Sequence, residues 1–479
     1  MAKKTSAAKE PKAKQRRSYA LDALRGYAIL TMVLSGLVPA TIPAWMHHAQ
    51  VPPPDFKFNP NLPGITWVDL VFPFFLFSMG AAFPMALSSR IEKGVQFWKI
   101  SLGIVTRCLL LLAFSIYVEN TQPWVLGYSE VVNNLLGLLA FVFVFAALVR
   151  LPDSWAGWKS WGIKLLGFAG GVALVLLAKR ADHAAFDWSR NDCIIRILAF
   201  VCVSGSFVWL CCRKSLLARL GVLGVLIAFR LSAATPGWVQ AVNGKSYSIP
   251  FFDPGMLHYL FIVVPAMIVG DMILAWMKSP DESIPDRKPW TTARLVSIVG
   301  LMLAFFGVML VGLFTRMLWQ TTLAGFAMCG IGWWLLSKPS NGTEKLLNNI
   351  YNWGAYCLIL GLTFEPYEGG IKKDCATMSY YFVSAGLAIF MLIAFTIIID
   401  VFRKRRWLQL LIDNGQNPMI AYIGRFTLVL PLLYFTRINP LMDKLFVSPW
   451  AGFVHAVITT LIIALVVSVF TKKRVFWRT

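Results

Sequence analysis

The sequence predicts an all-α polytopic membrane protein, and three observations carry that prediction. Hydrophobic residues make up 57% of the 479 residues and charged residues only 14%, with a mean hydropathy of +0.64; soluble domains are about half apolar and a quarter charged. Apolar runs recur along the chain, most of them near the roughly 20 residues of helix that cross a 30 Å hydrocarbon core. Lys and Arg collect in the short connections between the runs, the pattern that fixes orientation in a bilayer.

In chain order the runs cover 26–42, 68–87, 100–118, 131–149, 163–178, 194–211, 216–231, 256–276, 295–314, 317–336, 356–364, 380–401, 418–435 and 453–470. Because the short ones read as broken or partial spans, roughly 11–14 transmembrane helices are expected. Basic residues fall at Arg90 and Lys93, Arg213 and Lys214, Lys278 and Lys288, Arg403 to Arg406, and Lys472 to Arg474. Positively charged loops stay inside, so both termini are expected in the cytoplasm and the number of spans is expected to be even.

Residues 1–17 carry seven Lys and Arg against Glu10 and read as a disordered basic tail, with residues 18–479 forming a single transmembrane domain. The tail lacks a small-residue cleavage context, which favours an uncleaved anchor over a removed signal peptide. The net charge of +22 sits at span ends, where anionic lipid headgroups explain it; nucleic-acid binding is not expected. Eight cysteines lie mostly in apolar runs and never as CxxC, so no metal site is expected. Nucleotide-motor, dinucleotide, zincin and hydrolase motifs are absent.

Chemistry-bearing residues concentrate in the first two runs. LDALRGYAILTMVLSG, from Leu21, leads into a loop with His47 and His48, followed by TWVDLVFPFFLFSMG up to Gly80. Ionisable groups cost several kcal/mol at depth in a bilayer, so their retention points to function. The first loop continues through VPPPDFKFNPNLPG; with two other outer segments, 232–254 and 365–377, it is expected to form one mouth on the outer face, shaped by Pro and Gly turns.

Together with FDPGMLHYLFIVVPAMIVG from Phe252 and NGQNPMIAYIGR from Asn414, these segments resemble the heparan-alpha-glucosaminide N-acetyltransferase family of transmembrane acyltransferases, especially its bacterial members. The resemblance covers Arg17 to about Ile91 strongly and the rest in patches. It implies transfer of an acetyl group from cytosolic acetyl-CoA, a co-substrate, to an amino sugar of glucosamine type on the outer side, without a metal. It further implies an essential outer-loop histidine, which matches His48 before Ala49 or, counted from the LRG helix, His47. A bacterial inner membrane and a homodimer are also implied. Two departures stand out: the animal enzyme has an asparagine near the end of the first motif helix, where this chain has Ser35 and Gly36, and the stretch between His48 and Asp69 is longer and richer in proline.

The residues support such chemistry independently. An amine must lose a proton to attack a thioester, and histidine, with an ordinary pKa near 6.5, suits that work. His48 then acts either as general base in a single transfer or through a covalent acetyl-histidine. Asp69, at the outer start of the second run, is either a helix-start carboxylate or a partner of the histidine or sugar ammonium. Arg25 either pairs with Asp22 three residues away or, with Arg107, faces the phosphates of CoA. Asn417 opens a span and is a helix-start residue or a cofactor contact; Asp253 and Glu365 are helix-end acids or line the acceptor pocket. The lysines of GIKKD, 370–374, either steer an acidic glycan or balance nearby glutamates. The competing classes are a secondary transporter of a sugar or anion and a scaffold; no inverted repeat favours the transporter.

Overall fold

The computed structural model describes residues 17–150, 157–184, 186–243, 253–279 and 287–477. Among them there is no strand; two isolated bridges join Leu126 to Arg180 and Val149 to Trp477. Most of the basic tail and parts of the 232–254 and 278–288 segments fall outside the described residues.

The first half consists of α1 (Tyr19–Ser35), α2 (Trp67–Glu92), α3 (Phe97–Thr121), α4 (Glu130–Leu148), α5 (Trp158–Leu177), α6 (Cys193–Cys212), α7 (Leu216–Ser232), the short α8 (Trp238–Asn243) and α9 (Leu260–Lys278). The second half adds α10 (Thr292–Phe314), α11 (Leu318–Leu335), α12 (Gly342–Thr363), α13 (Met378–Thr396), α14 (Gln409–Gln416), α15 (Pro418–Gly424), α16 (Leu430–Phe435), α17 (Ile438–Leu445) and α18 (Pro449–Lys472). Among the described residues, ten helices are long and apolar enough to cross a membrane. The shorter or more polar α1, α7, α11 and α12 lie between or beside these in chain order.

The expected run at 356–364 is only the outer half of α12, whose first turns carry Glu344, Asn348 and Asn352 and so escape an apolar window. The run at 418–435 is also not one regular helix. A π-helical turn, Arg425–Val429, separates α15 from α16, an irregularity common at functional sites.

Exposure is inverted relative to a soluble protein. Leu135, Leu165, Leu166, Val311, Trp333 and Trp334 on α4, α5, α10 and α11 face outward, a surface suited to lipid and too apolar for water. Every residue of α13 is buried, and α1, α2, α9, α10 and α12 gather around it. The buried charges are paired: Arg219 with Asp271, which also accepts from Trp209 Nε1 at 3.2 Å, and Arg316 with Glu365 at 2.6 Å. Pairing is what permits charge at such depth.

α1 and α14 cross at Gly26 and Gly415, where a Cβ on either would collide with the Leu411 or Asp22 carbonyl. This close approach sets Arg25 within hydrogen-bond reach of the Gly415 carbonyl, at 3.3 Å. Gly26→Leu should therefore destabilise the fold by about 1–3 kcal/mol or more through overpacking. Gly300→Ala, where a Cβ meets nothing within 4 Å, should leave the unfolding midpoint in detergent unchanged or slightly raised. An equal effect of the two substitutions would contradict the crossing.

Candidate functional site

The outer end of the site is built on the first turn of α2. Thr66 is the N-cap and Asp69 the N3 residue of a capping box, so the Asp69 carboxylate turns back towards the helix start. There Asp69 Oδ2 accepts from Thr66 N at 2.9 Å and Ala49 N at 3.2 Å, and Oδ1 lies 2.7 Å from His48 Nδ1. The Tyr380 hydroxyl, from α13, donates to the Asp69 main-chain carbonyl at 2.7 Å. The helix-start role and the histidine-partner role of Asp69 thus coexist in one side chain.

The tautomer follows from this geometry. A carboxylate taking two backbone N–H groups acts as acceptor, so His48 Nδ1 carries the proton and donates it to Asp69. Nε2 is left with its lone pair and no protein partner. The Asp69 side chain is 0% exposed and that of His48 38%: a buried orienting acid behind an accessible base. Lys373 Nζ sits 3.3 Å from His48 Nδ1 and 3.7 Å from Asp374 Oδ2.

His48, Lys373 and Asp374 line an outer cavity of about 390 Å³ together with Ser35, Tyr259, Tyr422 and Arg425, with Asp69 behind the wall. His47 is not among them. Its ring packs edge-on against Phe56 at 5.1 Å, its Nε2 is buried without a hydrogen-bond partner, and its carbonyl accepts from the Thr66 hydroxyl at 2.7 Å. Burial holds the His47 pKa below its ordinary value, against opposing backbone hydrogen bonds at Ile42 and Pro39.

A second cavity of about 900 Å³ opens towards the basic face. It is lined by Arg25, Arg90, Lys99 and Arg107, with Gln416 and Trp477, and by no carboxylate among the described residues. Arg25 keeps the expected pairing, 3.7 Å from Asp22, donates to the Ser78 carbonyl at 3.1 Å, and lines the cavity together with Arg107. Between the two cavities lies a constriction with about 10 Å³ of free space. It shares Met32, Ile194 and Tyr422 with the outer cavity and Phe75, Leu198 and Met419 with the inner one.

Three sequence candidates sit elsewhere. Asn417 Nδ2 donates to the Thr471 hydroxyl at 2.8 Å and the Val475 carbonyl at 3.0 Å, and Oδ1 accepts from Trp477 N at 3.3 Å. It anchors the C-terminal segment whose Trp477 lines the inner cavity, and its amide faces away from any ligand. Glu365 binds Arg316 and accepts from Ile371 N at 3.2 Å, while Gly64 N donates to the Ile371 carbonyl at 2.7 Å, so two outer loops are fastened together. Gly370, at φ +93°, makes the tight turn in this clamp, and a Cβ there would strike Pro63 and Arg316. Asp253 caps the 3-10 turn before α9 by accepting from Gly255 N at 2.8 Å. Neither acid lines the outer cavity.

Lys373, Tyr422, Arg425, Arg90 and Lys99 were not singled out individually by sequence reasoning. Only the KK of GIKKD and the Tyr of NPMIAY gave a signal; the rest are cations at span ends, like many others.

The fold and the buried, membrane-inverted chemistry define an integral membrane protein of the all-α polytopic class. Residues 17–273 match the family described as a domain of unknown function, DUF5009, and the chain belongs to that family. No curated protein matches the chain. The family match takes in Arg25, His48, Asp69 and Arg107, whereas Lys373, Met419, Tyr422 and Arg425 lie beyond it.

His47 provides a test of the site's local environment. A histidine whose folded pKa is lowered contributes stability that is present above its unfolded value, near 6.5, and lost as pH falls through the lowered one. In a histidine NMR titration of the detergent-solubilised protein, the His47 resonance, assigned by its loss in His47→Gln, should titrate below pH 6.5. Titration at or above that value would contradict the burial.

Proposed function

We propose that this protein is an N-acetyltransferase that moves the acetyl group of cytosolic acetyl-CoA to the amine of an amino sugar on the outer side of the membrane, in a bacterial inner membrane. The observation that carries this reading is the pair of cavities, one walled by Arg25, Arg90, Lys99 and Arg107 and the other by His48 backed by Asp69, with one small apolar constriction between them that shares lining residues with both. The motif resemblance to the heparan-alpha-glucosaminide N-acetyltransferase family supports it independently.

The inner cavity suits the donor. Arg25, Arg90, Lys99 and Arg107 form a cationic wall without a competing carboxylate, and guanidinium forks match phosphate oxygens. Its volume and that of the outer cavity fall in the range of small-molecule sites, about 300–1,000 Å³. The narrow apolar neck suits a pantetheine arm, which is slender and carries its charge at the far end.

At the outer end His48 Nε2 takes the proton of the attacking amine. The amine nitrogen bonds to the thioester carbonyl carbon, the carbon–sulfur bond breaks, and the proton passes to the departing sulfur. Asp69 fixes the tautomer and stabilises the imidazolium as it forms. Because the cavities share lining residues with one neck, donor and acceptor can meet in a ternary complex, which favours direct transfer over an acetyl-histidine.

In proteoliposomes loaded with labelled acetyl-CoA and bathed in glucosamine and a panel of other amines, wild type should acetylate an external amine. His48→Ala should lower the rate about 10²–10⁴-fold, with acetyl-CoA binding retained. Solute flux without acetyl transfer would replace the enzyme reading with the transporter. Met419→Trp, filling the neck, should abolish transfer while leaving CoA binding at the inner cavity within a few-fold of wild type. Undiminished transfer by that variant would sink the connected-path mechanism.

A further inference from the structure

A base and a donor site leave the carbonyl oxygen of the thioester unaccounted for. Negative charge develops there as the amine attacks, and a positioned donor at such an oxygen is commonly the largest single electrostatic contribution to acyl transfer. Ser35, Tyr259, Tyr422, Arg425 and Lys373 carry donors on the outer cavity wall, and Tyr259 does not reach the neck. Ser35 is directed inward, its hydroxyl donating to the Met32 carbonyl at 2.9 Å. The Arg425 guanidinium is hydrogen-bonded to the Gly36 carbonyl, and Lys373 lies against His48 and Asp374. Tyr422 differs from these in place: it lines both the outer cavity and the neck, where an acyl group arriving from the inner side emerges.

Tyr422 also has a built partner. Its hydroxyl lies 2.5 Å from Asp192 Oδ2, while Asp192 Oδ1 accepts from Ile195 N at 2.9 Å as the N-cap of α6. The carboxyl is thus held by a helix start, and the phenol by the carboxyl. Neither Asp192 oxygen lines the outer cavity, so the acid reaches the site only through the tyrosine.

Resting on the proposed acetyl transfer, we infer that Tyr422 is a further catalytic residue, its phenolic O–H stabilising the oxyanion at the junction of neck and outer cavity, with Asp192 as its positioning residue. With the shared proton on Asp192, the carboxyl O–H donates to the Tyr422 oxygen. The phenolic proton is then free to turn into the cavity. No net proton is consumed: the hydrogen bond forms as the carbonyl oxygen gains charge and relaxes when the carbon–sulfur bond breaks.

The surroundings of Asp192 shift its carboxyl towards the protonated form. Burial raises its carboxyl above the ordinary carboxylate value, against the lowering effect of Tyr422 and the backbone N–H groups of Ile195 and Ile194. Glu119 on α3 adds negative charge beside it, Arg190 in the preceding loop opposes this, and Arg425 faces Tyr422 from its own helix. As pH rises and Asp192 loses its proton, the phenolic hydrogen is drawn back to the carboxylate, so catalysis should decline on the alkaline side.

The test is steady-state acetyl transfer in proteoliposomes by wild type, Tyr422→Phe and Asp192→Asn, each across a pH series. Asn still caps α6, which keeps the fold intact. Tyr422→Phe should lower kcat about 10²–10³-fold, with KM for acetyl-CoA within threefold of wild type. Asp192→Asn, whose amide N–H donates to the Tyr422 oxygen as the protonated carboxyl does, should keep kcat within about threefold at neutral pH and remove the alkaline limb of the profile. Wild-type transfer with Tyr422→Phe within threefold of its kcat, or with the loss appearing in KM alone, overturns the role of Tyr422 and leaves the acetyltransferase reading standing. An alkaline limb that persists in Asp192→Asn overturns the role of Asp192. Absence of transfer by wild type itself overturns the acetyltransferase reading, and this inference with it.

Discussion

A buried carboxylate at the outer end of α2 is the constraint around which the site is arranged. Asp69 has no access to solvent, and an unpartnered charge there would cost several kcal/mol. Its neighbours remove that cost: the N-terminal N–H groups of its own helix region, the Ala49 N–H and the His48 imidazole. The same contacts fasten the long first outer loop to the bundle. A residue that stabilises a helix start therefore also fixes the orientation of the accessible histidine, and neither role can be altered without the other. Tyr380 extends the arrangement to α13, the most buried helix, so the histidine rests on the most rigid part of the molecule.

Charge divides the two cavities by kind. On the basic face, Arg25, Arg90, Lys99 and Arg107 share a volume without acids, a standing electrostatic excess that an anion would relieve. On the outer face, Lys373 and Arg425 are balanced by Asp374, with Asp69 behind the wall. The neck carries no charged side chain; its lining is Ile, Leu, Met, Phe and one Tyr. An apolar constriction with about 10 Å³ of free space resists the passage of ions and water as it stands.

Much of this was legible in the sequence, for reasons that differ by residue. The all-α, membrane-spanning class follows from apolar length, which acts locally, while the expected 11–14 spans compare with ten helices of sufficient length and apolarity among the described residues. Asp69 and His48 were legible because a charge at a span start and a histidine pair in a shaped loop are costly to keep. Which histidine enters the cavity was not, because a single-residue difference in a loop depends on Phe56 and on the Thr66 hydroxyl that takes the His47 carbonyl. Asn417 is the helix-start residue expected, the N-cap of α15, but that its amide is taken up by partners more than fifty residues away at the C-terminal end was not legible from a local stretch. Asp253 and Glu365 are acids of the right kind at the right face, and their backbone and Arg316 contacts depend on loop geometry that no spacing encodes.

On the acetyltransferase reading, the cations beside His48 have a chemical consequence. An amino sugar is mostly protonated in neutral water, and only its neutral form attacks. Placing Lys373 within 3.3 Å of the His48 ring raises the free energy of a second positive charge in the outer cavity, because like charges at short range disfavour the charged form. The bound amine is thereby pushed towards its neutral, nucleophilic state before His48 acts. The cost falls on binding of the ammonium, and Asp374, 3.7 Å from Lys373, offsets part of it at the rim. A site so arranged trades affinity for the resting substrate against readiness of the reacting one, which is the direction in which binding energy raises turnover.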